Sequence, residues 1–155
     1  MEKEYVWYAC YGSNINRTRF LRYIDMCEDK SEPLEARRFI FPYDMYFAAE
    51  SAIWEGKGVC FVDDTKPGMA YGKIYKITRE QFDTVKQAEG SKYTKLLELG
   101  EVDGLPVYSF TCEEQYEEKV EPSDAYFNTI LAGLVELYEE ISEEELSEYL
   151  KKGYL

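Results

Sequence analysis

Apolar and polar positions along this chain follow two periods, and the switches between them mark out most of its elements. Residues 5–11 form an uncharged run of aromatic and β-branched side chains, the pattern of a buried strand. The run breaks at Gly12-Ser13-Asn14, a cluster of turn formers. A helix then fits residues 17–27, where Phe20, Ile24 and Cys27 recur at spacings of four and three and Asn16 can cap the first turn. Residues 39–41 and 45–49 read as two short strands bent at Pro42-Tyr43-Asp44. Residues 58–62 and 69–77 are two more, with a turn at 63–68. The second sets Tyr71, Lys73 and Tyr75 against Gly72, Ile74 and Lys76, which predicts a half-exposed strand.

Thr78 opens a short helix. Thr78-x-x-Gln81 is a capping box, and Gly90 stands where a C-terminal glycine belongs. Residues 93–99 and 106–111 flank Asp103-Gly104, a hairpin signal. Residues 113–121 form a charged loop. Pro122-Ser123-Asp124 then starts a helix with Tyr126, Ile130, Leu134 and Leu137 on one face, and Ser142 caps a last polar helix. No repeat, low-complexity tract or linker interrupts the order. Most strands precede the long helices, which predicts one α+β domain over residues 1–155, built on a small mixed, largely antiparallel, curled sheet with flanking helices.

Composition narrows the chemistry. A chain of 155 residues buries roughly 70 % of its unfolded surface, enough for a core without staples. It has no long apolar run, and Met1-Glu2-Lys3-Glu4 lacks the layout of a signal peptide, so a cytoplasmic location is expected. Cys10, Cys27, Cys60 and Cys112 form no CxxC pair and are expected as buried free thiols. A formal charge of −13 predicts no nucleic-acid and no membrane partner. Arg17, Arg19, Arg22, Arg37 and Arg38 are expected to bridge carboxylates or to line a small-anion pocket. There is no histidine, which excludes Ser-His-Asp and Cys-His arrangements and most catalytic zinc sites. Proton transfer falls to Glu, Asp, Lys, Tyr or Cys. Fifteen tyrosines mostly serve strand surfaces and core edges, with phenols to spare for orienting a ligand.

Two places can carry chemistry. The strand–Gly12-Ser13-Asn14–helix junction can present backbone N–H groups and a helix N-terminus to an anion, with Gly12 allowing close approach. Equally, it can be an ordinary turn whose Ser and Asn cap the helix. Glu89 shares a helix face with Phe82 and Val85, at spacings of three and seven, which points its carboxylate inward. Burial and the negative end of the helix dipole both raise a carboxylate's pKa, giving a general base near neutral pH. The other possibility is a boundary residue, turned to solvent or paired with Lys86 or Lys92.

Together these features resemble the γ-glutamylcyclotransferase-like family, which includes the γ-glutamylamine cyclotransferases. The likeness runs through Tyr11-Gly12-Ser13-Asn14, the Gly-Lys-Gly stretch at 56–58 after Trp54, and Ala70-x-Gly72-x-Ile74-Tyr75-x-Ile77. It continues through Glu89-Gly90 with Tyr93 to Pro122-Ser123-x-x-Tyr126 and Ala132-Gly133. The resemblance implies a small β-barrel-like α+β fold with a pocket at the first turn. It implies that Tyr11, Gly12, Ser13, Asn14 and Ile15 hold the γ-glutamyl part of a small-molecule substrate, and that Tyr126 orients it. Glu89 would take a proton from the substrate's α-ammonium group, and the freed amine would attack its own γ-carbonyl, releasing 5-oxoproline and an amine or amino acid. No metal or organic cofactor is implied. The sequence departs from the resemblance at Gln87-Ala88 and at Ile15, where leucine is common, and the leaving group stays open. Rival readings are a binding or regulatory protein that keeps the pocket, a redox protein using Cys10 or Cys60, and an interaction module using the acidic surface.

Overall fold

A computed structural model describes residues 2–155. Its centre is β1 (Tyr5–Cys10), whose uncharged sequence suits a strand covered on both faces: every residue from Val6 to Cys10 is buried. Around it β2 (Glu35–Phe41), β5 (Ala70–Thr78), β6 (Lys95–Val102) and β7 (Leu105–Thr111) complete a five-stranded sheet in the order β2-β5-β1-β7-β6. All neighbours run antiparallel except β1 and β7, which are parallel. A separate hairpin pairs β3 (Met45–Ser51) with β4 (Lys57–Val62). The architecture is thus the expected mixed, largely antiparallel sheet with flanking helices, but the strands form two sheets, and among the described residues they close no barrel.

The expected half-exposed pattern of β5 is corrected. This strand lies between β2 and β1, and only Tyr71 and Lys76 are partly open. Lys73 is buried because its ammonium has an acceptor, the Ile15 carbonyl at 3.2 Å, and lies over the Tyr75 ring. The bend at 42–44 sends β2 and β3 into different sheets. It is pinned by Gly68 N–H donating to the Pro42 carbonyl and Asp63 N–H to that of Asp44.

Four helices flank the strands: α1 (Arg17–Ile24), α2 (Arg79–Glu89), α3 (Asp124–Leu137) and α4 (Glu143–Lys151). Three start at a predicted cap, and α3 starts within the predicted stretch 122–124. Asn16, Thr78, Ser123 and Ser142 all accept from a backbone N–H in the first turn, and the Thr78–Gln81 box closes reciprocally at 3.0 Å. Helix α1 stops at Ile24, short of the expected Cys27, although Cys27 is still buried. The last helix is polar except for Leu146 and Leu150, which it buries. The acidic loop is tied down where Val120 N–H donates to the Phe47 carbonyl. Among the described residues, no helix is long and apolar enough to cross a membrane.

The core is strongly aromatic. Phe20 of α1 lies stacked on Tyr75 of β5 with centroids 4.2 Å apart, and its centroid is 5.4 Å from that of Tyr8 of β1. This stack fixes helix to sheet directly behind the first turn. Phe20→Ala is expected to lower unfolding free energy by about 3–5 kcal/mol in urea titration; a loss below about 1 kcal/mol would show that the stack contributes little.

Candidate active site

After β1 the chain bends at Gly12 into a short 3-10 turn, Ser13–Ile15, closed by Ile15 N–H to the Gly12 carbonyl and Asn16 N–H to that of Ser13. The turn is gripped from behind. Tyr75 Oη donates to the Asn14 carbonyl at 2.8 Å, and Lys73 Nζ and Tyr75 Oη both donate to that of Ile15. Helix α3 presses on it at Gly133, where a Cβ would meet the Asn16 nitrogen at 2.7 Å, so only glycine permits this approach. Among the described residues the Ser13 and Asn14 amides find no backbone acceptor, as befits the first residues of a helical turn.

Glu89 is the last residue of α2, one turn beyond Val85 and two beyond Phe82, both core residues. Its Oε1 accepts from Tyr8 Oη at 2.9 Å and from Asn14 Nδ2 at 3.0 Å, while Asn14 Nδ2 is also 3.0 Å from Tyr8 Oη. Three elements, β1, the turn and the end of α2, therefore converge on one carboxylate oxygen. Among the described residues Glu89 makes no ion pair, with Lys86, Lys92 or any other cation. Glu89 as a residue is half-buried, but desolvation of its inward-turned carboxylate raises its pKa to about 7 despite the opposing pull of the Tyr8 hydrogen bond, the Arg19 charge and the Asn14 hydrogen bond. The inward orientation expected from helical spacing is the one observed.

This carboxylate opens onto a cavity of about 300 Å³. Gly12, Ser13 and Asn14 line it together with Trp54, Tyr93 and Tyr126. Tyr126 Oη accepts from Cys60 N–H at 3.0 Å, and Tyr93 Oη donates to the Cys60 carbonyl at 2.7 Å, so one residue of β4 anchors both phenols. A Cβ on residue 12 would lie 3.2 Å from Tyr126 Oη, which is how closely the bend and this phenol approach. Tyr11 lines the cavity too, but its phenol donates to the Phe110 carbonyl at 2.8 Å and packs edge-on against Phe41. Ile15 does not line it; its side chain is in the core and its carbonyl is occupied by Lys73 and Tyr75.

Sequence reasoning passed over Tyr8, Trp54, Tyr93 and Arg19 as individual site residues. For Tyr8 a signal exists, since a tyrosine inside an uncharged strand needs a partner for its hydroxyl. Arg19 belongs to the arginine group expected either to bridge carboxylates or to line a small-anion pocket; it lines this cavity, whereas Arg17, Arg37 and Arg38 pair with carboxylates. The buried thiols of Cys10 and Cys60 are both pushed far above the usual range by desolvation, which disfavours a reactive thiolate. Among the described residues, no three His, Cys, Asp or Glu side chains gather as a metal-ligand set.

Comparison with known proteins bears on this geometry. No protein-family model matches the chain. It is 29 % identical to histone deacetylase 5 of Arabidopsis thaliana over 202 aligned positions; these cover 96 % of the chain but 30 % of that protein, so it spans under a third of its relative's length. Among solved structures it superimposes on a γ-glutamyl cyclotransferase with a TM-score of 0.71 at 18 % identity, covering 95 % of this chain and 88 % of that one. A human protein described as uncharacterized gives 0.70 at 19 % identity, covering 96 % and 89 %. A yeast γ-glutamyl cyclotransferase specific to glutathione gives 0.50 at 13 % identity, covering 97 % of each. The chain has the γ-glutamyl cyclotransferase-like fold.

Site electrostatics can be measured directly. In ¹³C NMR the Glu89 carboxyl is expected to titrate near 7, and Tyr8→Phe, which removes a bond to the charged form, should move that midpoint up; an ordinary midpoint near 4.5 would contradict the burial. Because the folded pKa is raised, ionisation opposes folding. The stability of the native protein relative to Glu89→Gln should therefore fall as pH rises from about 4.5 to about 7 and then level off.

Proposed function

We propose that this protein is a γ-glutamyl cyclotransferase, with Glu89 as general base. The observation that carries this reading is the solitary carboxylate of Glu89, held by Tyr8 and Asn14 at the mouth of the first turn and with a pKa of about 7. Its small-molecule partner is a γ-glutamyl compound. Neither a nucleic acid nor a membrane is needed, and buried free thiols suit a reducing cytoplasm.

The α-ammonium of a γ-glutamyl compound, beside its own free α-carboxylate, is a weaker acid than the Glu89 carboxyl by roughly two pKa units, so proton transfer to the carboxylate costs about 3 kcal/mol. The freed amine attacks the γ-carbonyl of its own molecule, closing a five-membered lactam as the carbonyl π electrons move to oxygen. Collapse of that oxyanion expels the amide nitrogen. The lactam nitrogen keeps one proton, and the two that it loses end on the departing nitrogen, the first relayed through Glu89. Because nucleophile and electrophile belong to one molecule, folding the substrate supplies most of the rate gain. The Ser13 and Asn14 amides, free of backbone partners, suit binding of the γ-glutamyl group and its oxyanion. Tyr126, whose oxygen already accepts from Cys60 N–H, has its own O–H to donate to substrate.

Incubation with γ-glutamyl amino acids, γ-glutamyl amines and glutathione should yield 5-oxoproline by mass spectrometry. Glu89→Gln should lower kcat by roughly 10²–10⁴-fold, the usual worth of a general base, with the fold intact by circular dichroism. Release of 5-oxoproline at the native rate from that variant would remove Glu89 as the base. Binding across the panel without turnover by the native protein would point instead to a binding protein.

A further inference from the structure

Arg19 is a cation in the wall of the Glu89 cavity. It leaves helix α1 beside the Asn16 cap, and its guanidinium stands 5.4 Å from the Trp54 ring and 5.5 Å from the Tyr23 ring. Two aromatic faces thus hold the fork in place without using its hydrogen-bonding edge. No carboxylate lies within ion-pair distance of it among the described residues, although the chain carries 31 acidic side chains. Its Nε–H is buried and has no acceptor among the described residues. A planar fork that is oriented, unpaired and cavity-facing is suited to a carboxylate that arrives with a ligand.

The wall also bears Lys92, against the single carboxylate of Glu89. A cavity with two cations and one acid, inside a protein of charge −13, favours ligands with an extra negative charge and disfavours those with an extra positive one.

We infer that Arg19 reads a carboxylate on the departing half of the substrate, so that this protein acts on γ-glutamyl amino acids or peptides in preference to γ-glutamyl amines. The inference rests on the cyclotransferase reading and sharpens it, because that reading alone leaves the departing group open. The α-carboxylate of the glutamyl half is common to both substrate classes, and it is carried by the carbon whose amine must face Glu89. Arg19 selects between the classes only if it meets the other carboxylate.

The test compares γ-glutamyl-alanine with γ-glutamyl-ethylamine, which differ by that one carboxylate. Wild-type kcat/KM is expected to favour the alanine compound by roughly tenfold to a hundredfold, mainly through KM, the range for a hydrogen bond to a charged group. Arg19→Gln should bring the ratio close to one, and Arg19→Lys should keep part of it. The ratio is the readout because the Arg19 charge also lowers the Glu89 pKa and so affects both compounds alike. A ratio near one in the wild type, or an equal fall for both compounds in Arg19→Gln, would overturn the inference and leave the cyclotransferase standing. Absence of 5-oxoproline from both compounds would sink the inference and the cyclotransferase reading together. Calorimetric binding of the two compounds to Glu89→Gln checks the preference apart from turnover: equal affinities contradict it, and tighter binding of the alanine compound supports it.

Discussion

One carboxylate oxygen joins three parts of this structure. Glu89 Oε1 accepts from Tyr8 in the central strand and from Asn14 in the turn that follows it, while its own backbone ends helix α2. Each donor is placed by something larger. Tyr8 sits in a strand paired on both sides, and Asn14 in a turn whose carbonyls are held by Tyr75 and Lys73. Two neutral hydrogen bonds orient the carboxylate without neutralising it. A salt bridge would have pulled its pKa down; burial without one leaves it near 7. The site is therefore basic enough to take a proton from an ammonium group and acidic enough to return it.

The rest of the fold holds that arrangement in place. The Tyr8–Phe20–Tyr75 stack anchors α1 beneath the turn, and Gly133 lets α3 press on it from another side. Also in the cavity wall, Cys60 of β4 holds both Tyr93 and Tyr126 through its main chain. Its thiol matters less than its peptide groups, which links the β3–β4 hairpin to the cavity although that hairpin is not part of the main sheet. Likeness to a γ-glutamyl cyclotransferase structure at 18 % identity and to a human protein described as uncharacterized at 19 % speaks for a shared fold.

Much of this was legible in the sequence because local chemistry decides it. All four helix starts follow from a capping side chain, and the inward face of α2 follows from Phe82, Val85 and Glu89 at helical spacing. Position in the sheet was not legible. Alternation in β5 suggested an open face, yet an interior strand is covered on both sides, and Lys73 is buried because the Ile15 carbonyl lies in reach. The separation of β2 from β3 and the absence of barrel closure depend on long-range pairing that no local pattern encodes. Within the site, the motif stretch 11–15 marked the right bend but not the direction of each side chain: Tyr11 turns its phenol away and Ile15 faces the core. Tyr8, which bonds Glu89, and Arg19, which shares its cavity, come together with it only in three dimensions.

The central claim is that the ionisation of Glu89 governs turnover, and the pH dependence of kcat/KM for 5-oxoproline release tests it most directly, because that profile reports ionisations of the free enzyme. The account predicts an acid limb with its midpoint at about 7, the same midpoint as the spectroscopic titration of Glu89, and moving with it in Tyr8→Phe. A profile that stays flat from roughly pH 5 to pH 8, or a limb that ignores the Tyr8 substitution, would contradict it.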